Sequence, residues 1–479
     1  MASFKVESQF PRPRIEVIKP DGAVVELNPN YAGLSAGGGS IVSRNLLSYT
    51  FSEAVDDLMG SFSFSVENEM IAVGNNGKSL FDLIPLRSVV NIYEADEKTP
   101  AFRGIIRKRH IGATMTSNGV KKSVVFSGKS VISCVTEFMV PLDIRIPEVS
   151  GSIGKTKTLQ SKLSKDSMPI VEFMTESWNY FREVSDEVSK SSGFVNGRLL
   201  EIIDKYIGTD FIQATGKETS LQYPVATMFY NQTNNYITDV WSNILPKPVY
   251  ELFARFDVEA EKPAPVIVAR QVPYGDPDNG NNDWLDLNPL YSIDPVMLVG
   301  YDLEQSDEDV YTAFNSYVIG SPKSKEFYQA VSGKVDTYAA MDAEKSAIYG
   351  FRLLSVSFTG FDRMTNDDDE PDNRADKLGK ALETLNKRIR YWYSRVDEMY
   401  SGTINLITNF KDISKNPKAG FRVSFLGGQF YVEKSVHSWN YGGAPLNVLT
   451  VSRGMVYDDN GKILKIMPEI GKLYGELEG

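Results

Sequence analysis

The 479-residue chain is poor in reactive side chains: it has one cysteine, Cys134, and two histidines, His110 and His437. A single cysteine allows no internal disulfide and no cysteine-based metal site. Two histidines far apart in the chain do not supply the three or four ligands that a zinc centre draws from Cys and His. No run of eighteen apolar residues occurs, so no membrane-spanning helix is expected, and the opening MASFKVESQF lacks the apolar centre of a signal peptide. The expectation is a chain that folds in a cytoplasm. Positive charge is also in deficit, with 51 Lys and Arg against 62 Asp and Glu and a net charge of -11. Nonspecific affinity for nucleic acid comes mainly from neutralising phosphates, so stable nucleic-acid binding is not expected.

What the chain does have is aromatic residues (11%), 37 Gly and 23 Pro, a mixture typical of strand-rich, turn-rich folded protein. Its length suggests about three domains. The organising feature is a stretch that occurs twice. Residues 85–131 contain Phe102, His110 and Gly128; residues 420–455 contain Phe430, His437 and Gly454. Phe to His is 8 positions in one and 7 in the other, and His to Gly is 18 and 17. Strands of period two separate these residues, as in a duplicated β-unit.

In chain order, residues 1–140 read as a first small antiparallel β-barrel. Its opening IEVIKPDGAVVEL is a hairpin around Pro20-Asp21-Gly22, and SFSFSV from Ser61 is a half-buried strand. Residues 141–225 form a helical linking or inserted subdomain, clearest from Val195 to Ile207. Residues 226–330 form an α+β subdomain with a short helix carrying Tyr236, Ile237, Val240, Trp241 and Ile244, then strand-like VYELFARF and PVIVARQV. Residues 331–401 connect onward through a long amphipathic helix. Its seam, Leu378, Leu382, Leu385, Ile389, Trp392 and Val396, is spaced 4, 3, 4, 3, 4 and must face either its own chain or another subunit. Residues 402–457 are a second β-barrel and 458–479 a tail. The fold class expected is mainly β with α+β insertions.

Candidate chemistry is thin. Gly151 to Thr156, GSIGKT, suggests a phosphate loop, but Val149 stands where the first Gly belongs. In the Asp276–Asp283 loop the Gly sits one place early for calcium and Leu287 replaces the bidentate acid. Asp367 to Glu370 fit the role of charge at a helix N-terminus. Glu201, Asp210 and Thr215 approach a lysozyme-like spacing, with the Thr one place early. No G-x-S-x-G occurs. No catalytic residue, cofactor or metal ligand is assigned. A glycan- or receptor-binding patch could be drawn from Tyr274, Trp284 and the Asp276–Asp283 loop.

The strand-rich start with FSFSVEN, DLIPLRSVVNIYE and FRGIIRKR, the middle DVWSNILPKPVYELF, VIVARQVPY and GYDLEQSDEDVYTAF, and the returning β-unit together resemble the baseplate-hub proteins of tailed phages and contractile injection systems. The resemblance covers residues 12–455 through diffuse patterns. It implies a structural protein without enzymatic activity, in which a homotrimer presents two related barrels per chain as a pseudo-sixfold ring. That ring would join the tail tube protein to a central spike protein and to other baseplate proteins, and let tape measure protein and DNA pass. It implies a virion-tail location and a channel lined by neutral or acidic residues. Ring contacts are expected at edge strands around Phe102, Arg103, Phe430 and Val432. Residues 150–225 have no counterpart in the resemblance, and no lysozyme or wall-binding module follows Met455.

Overall fold

The computed structural model of the chain describes residues 13–27, 41–43, 46–68, 70–73, 76–94, 99–116, 119–136, 167–191, 198–208, 211–215, 222–224, 237–245, 247–257, 263–272, 284, 289–319, 341–359, 371–409, 415–457 and 463–465. The first part is made of strands: β1 (Arg14–Ile18), β2 (Val24–Leu27), β3 (Ile41–Ser43), β4 (Leu46–Ala54), β5 (Ser61–Glu67), β6 (Met70–Val73), β7 (Asn76–Ser79), β8 (Val89–Tyr93), β9 (Phe102–Thr116) and β10 (Gly119–Ser130). Alternation dictates them: in β5, Phe62, Phe64 and Val66 are buried while the serines and Glu67 between and beside them are not. The β1–β2 turn is the expected one. Gly22 takes a left-handed φ of 83°, and the Asp21 carboxylate accepts from the Ala23 N–H. Inward-facing Ile15, Val17, Phe64, Val66, Ile92, Phe126 and their neighbours form one continuous core.

The middle of the chain is mixed. It holds β11 (Ser167–Pro169), helix α1 (Ile170–Ser191), α2 (Arg198–Tyr206), β12 (Ile212–Thr215), β13 (Gln222–Pro224), α3 (Ile237–Ile244), β14 (Tyr250–Asp257) and β15 (Ala264–Gln271). β12 lies parallel and β14 antiparallel to β15. Both β14 and β15 are buried along most of their length, which is why they read as apolar runs rather than alternations. The helices pack through Phe173, Trp178, Ile203 and Trp241, and the Trp241 indole N–H donates to Ser177 Oγ at 3.0 Å.

The rest of the chain comprises β16 (Leu290–Ser292), β17 (Leu298–Glu304), β18 (Ala313–Ile319), α4 (Ala343–Tyr349), β19 (Leu353–Thr359), α5 (Pro371–Tyr393), β20 (Tyr400–Ile407), β21 (Arg422–Phe425), β22 (Gly428–Asn440), β23 (Leu446–Tyr457) and β24 (Ile463–Lys465). The protein is mainly β with helical insertions. Its largest sheet runs β17-β20-β23-β22-β4-β5-β10-β9-β8-β1-β2-β3.

Within this sheet one order occurs twice. The strands β4-β5-β10-β9-β8 have the same neighbours as β17-β20-β23-β22-β21, all antiparallel. The duplication is therefore a five-strand unit, larger than the Phe–His–Gly spacing delimits. Beyond the shared order the units part: β8 pairs antiparallel with β1, whereas β21 pairs parallel with β16. The boundaries expected from sequence shift accordingly. Residues 290–304, read as part of the α+β subdomain, supply β16 and β17 to the second unit, and β18 pairs in parallel with β19 from the connecting segment. Periodicity marks a strand but carries no information on its partner.

The residue correspondence also changes. Gly128 lies opposite Ile106, not Phe102, whereas a Cβ on Gly454 would meet the Phe430 ring. His110 pairs across the hairpin with Val125 and is exposed; His437 pairs with Asn447 and is buried. Equal spacing hid unequal hairpins, because β9 turns back within two residues of Thr116 while β22 and β23 are separated by residues 441–445.

Candidate functional site

The two β-units meet through backbone hydrogen bonding. β4 of the first pairs antiparallel with the C-terminal half of β22 of the second, Ala54 to Ser48 against Lys434 to Asn440. The N-terminal half of β22 pairs with β21 on that side. One strand thus serves its own unit at one end and the neighbouring unit at the other.

Polar side chains lock this seam. His437 Nδ1 lies 2.9 and 3.0 Å from the two carboxylate oxygens of Glu94, the Tyr49 hydroxyl donates to Glu94 Oε1 at 3.1 Å, and the His437 ring stacks on Phe51 at 4.5 Å. Burial pushes the Tyr49 hydroxyl far up its titration range, and the Glu94 charge adds to this. A second cluster ties the seam to β14 and β15. Glu53 on β4 accepts from the Phe256 N–H at 2.7 Å, and Lys418 Nζ donates to the Phe256 carbonyl at 2.8 Å. Burial raises the Glu53 carboxyl above its ordinary value, against the pull of Lys418 and the Phe256 amide.

A third cluster fastens β14 and β15 to the second unit. Arg270 Nε donates to Glu251 Oε2 at 2.9 Å, and its Nη2 donates to the Tyr431 hydroxyl at 3.0 Å and the Gly420 carbonyl at 3.1 Å. Tyr431 donates on to Glu251 Oε1 at 2.6 Å. Burial pushes the Glu251 carboxyl up while the Arg270 guanidinium and the Tyr431 hydroxyl hold it down. Every charge here is paired and hydrogen-bonded, the condition under which burying it is tolerable. Beside it lies a cleft of about 400 Å³ lined by Asp56, Lys247, Tyr250, Glu251, Tyr393, Glu433 and Lys434 among others. The Glu251 oxygens are engaged by Arg270 and Tyr431, an arrangement suited to holding parts together.

The residues expected to make ring contacts lie elsewhere than expected. Phe102, Phe430 and Val432 are at most 1% exposed. β9 pairs with β8 at Phe102 and with β10 from Gly104 onward, and β22 pairs with β21 at Phe430 and with β23 at Val432. Arg103 reaches inward, donating to Asn91 at 2.8 Å and to the Tyr206 carbonyl at 3.3 Å. The Phe side chains are apolar members of an alternating strand, and alternation does not distinguish a central strand from an edge. What sequence reasoning missed was the seam, in particular Glu94, Glu53, Glu251 and Arg270. The only signal was the odd placement of charges within otherwise apolar strands such as YELFARF.

In the helix seam, Leu382, Ile389 and Trp392 are buried against the same chain. Leu385 and Val396 are half-buried; Val396 lies past the end of α5 in a short 3-10 turn, and the Leu378 side chain is outside the described residues. Arg388 from α5 binds Gln271 Oε1 and the Val272 carbonyl.

Trp284 is fully buried, stacked on Tyr457 at 4.8 Å, which removes it from an exposed binding patch. Tyr274, the Asp276–Asp283 loop with Leu287, the GSIGKT stretch, Asp367 to Glu370 and Asp210 lie outside the described residues. Glu201 is exposed on α2 beside Asp21, Gly22 and Lys205, and Thr215 ends β12 opposite Arg270. Among the described residues no group of three or more His, Cys, Asp or Glu is placed to hold a metal, and no helix is long and apolar enough to cross a membrane.

No family model matches the sequence, and no curated protein matches it. Solved structures are similar in fold. One is the 43 kDa tail protein of prophage MuSo2 from Shewanella oneidensis, at 9% identity over 96% of this chain and 100% of that one, with a TM-score of 0.44. A tail protein from Neisseria meningitidis MC58 matches at 9% identity over 92% and 96%, with a TM-score of 0.45. The E. coli c3393 protein, a component of the type VI secretion system, matches at 8% identity over 88% and 77%, with a TM-score of 0.39. The structural neighbours are tail and secretion-system proteins.

Proposed function

We propose that the protein is a structural component of a phage-type tail, the baseplate hub, acting as a homotrimeric ring. The observation that carries this reading is the repeated five-strand unit whose two copies are joined side by side in one sheet. A lateral contact between like units is heterologous, and such contacts either close into a ring or run on as a filament. Three chains would place six units around one axis, matching a sixfold tail tube protein on one face and a threefold central spike protein on the other. Other baseplate proteins would pack outside. The hole would pass tape measure protein and then DNA during ejection, and the net charge of -11 suits a lumen that does not retain a polyanion.

The buried, fully engaged clusters at the seam support a mechanical role over a catalytic one. Negative-stain electron microscopy and mass photometry of the purified protein test the reading. Rings with a central hole and a mass three times 53.4 kDa are expected. Particles without a hole, both alone and with the spike added, count against it.

A further inference from the structure

The seam inside one chain has, among the described residues, an unfilled counterpart on each of its two units. In the seam, β4 pairs with the C-terminal half of β22, beyond the part of β22 that β21 occupies. The counterpart of β4 in the second unit is β17. It pairs with β20 on one side, and on its other side no strand lies among the described residues. The counterpart of β22 in the first unit is β9. β8 covers it from Phe102 to Ile105, and from Lys108 to Ala113 only β10 pairs with it among the described residues.

These two edges are complementary in charge and in apolar surface. β17 and the residues after it expose Asp302, Glu304, Asp307, Glu308 and Asp309, whereas the β9 stretch is RKRH, with Lys108 and His110 exposed and Arg109 half-exposed. Each edge also shows one β-branched side chain to solvent, Val299 at 56% and Ile111 at 50%. Unpaired backbone on an exposed edge is a template for another strand.

Resting on the ring reading above, we infer that the copies join by antiparallel pairing of β17 of one chain with Lys108 to Ala113 of β9 in the next, so that the copy-to-copy joint repeats the seam between β4 and β22. The occupant of both edges is a second copy of this chain. The joint differs from the internal seam in that opposite charges steer it, so it weakens as salt rises.

The test is a charge-reversal pair. Asp302→Lys with Glu304→Lys, and separately Lys108→Glu with His110→Glu, alter exposed side chains only, and circular dichroism verifies that each variant folds. Each should weaken trimer formation on the order of tenfold or more, and combining the two sets in one chain should restore it. In the wild type with Glu304→Cys and Lys108→Cys, a short bis-maleimide should give covalent trimers. Trimers that form equally well in all variants, with no cross-link, overturn this joint and leave the ring reading standing. A wild-type chain that stays monomeric up to millimolar concentration, both alone and with the spike added, overturns both.

Discussion

The first β-unit is contiguous and the second is interrupted. β4 turns into β5 within residues 55–60, while the equivalent β17 and β20 are separated by residues 305–399, which hold β18, α4, β19 and α5. The same position in the same unit thus accepts either a short turn or a whole subdomain. The excursion is tolerated because its ends leave and re-enter adjacent strands, and because it brings its own burial. Leu382 and Ile389 of α5 join the core around α1 to α3, and Trp392 joins the one around Trp284 and Tyr431. Insertion at a surface turn costs little loop entropy when the inserted residues pack.

The units also differ in how they are held. The first is anchored to the middle sheet through Glu53, the second through Arg270 and Glu251. Arg270→Ala should have the largest effect, because it leaves the Glu251 carboxylate buried without its cation. A loss of about 3 to 5 kcal/mol in urea unfolding is expected. If the second unit depends on this anchor and the first does not, hydrogen exchange should rise in β22 and β23 more than in β9 and β10.

The two hairpin glycines sharpen the comparison at smaller magnitude. A Cβ on Gly128 would lie 1.9 Å from the Ile105 carbonyl oxygen, whereas one on Gly454 would meet the Phe430 ring at 2.2 Å. Backbone yields less than a side chain. Gly128→Ala should therefore cost more than Gly454→Ala, each about 1 to 3 kcal/mol, and equal melting shifts would show that the two bulged hairpins are equally adaptable.

The smallest effect is expected at Glu53. Its carboxyl is raised by burial above an ordinary value of 4.5. The protonated form is then favoured by folding, so its contribution is full below pH 4.5 and is lost as pH climbs through the folded value. Glu53→Gln should flatten the fall in stability as pH rises above 4.5 relative to wild type. Parallel pH profiles would place the compensation in Lys418 and the Phe256 amide.

Much of this was legible locally. The hairpin at Pro20-Asp21-Gly22, the strand SFSFSV, the helix at Ile237–Ile244 and the mid-chain run of Leu382, Ile389 and Trp392 follow from side-chain period and turn chemistry, which act over a few residues. The existence of a repeat was legible too, although its extent and residue matching were not. His110 and His437 fall at matching positions in the sequence, yet one is in solvent and the other grips Glu94 from the other unit.

By itself, then, the sequence determined the mainly β class, the duplication and the absence of cysteine-rich chemistry, because composition and periodicity are properties of the chain alone. Only the tertiary structure decided that β17 belongs to the second unit, that Phe102 and Phe430 are interior, and that β4 meets β22. Strand pairing joins residues hundreds of positions apart through backbone groups that every residue carries, so no side-chain pattern records which partner is chosen.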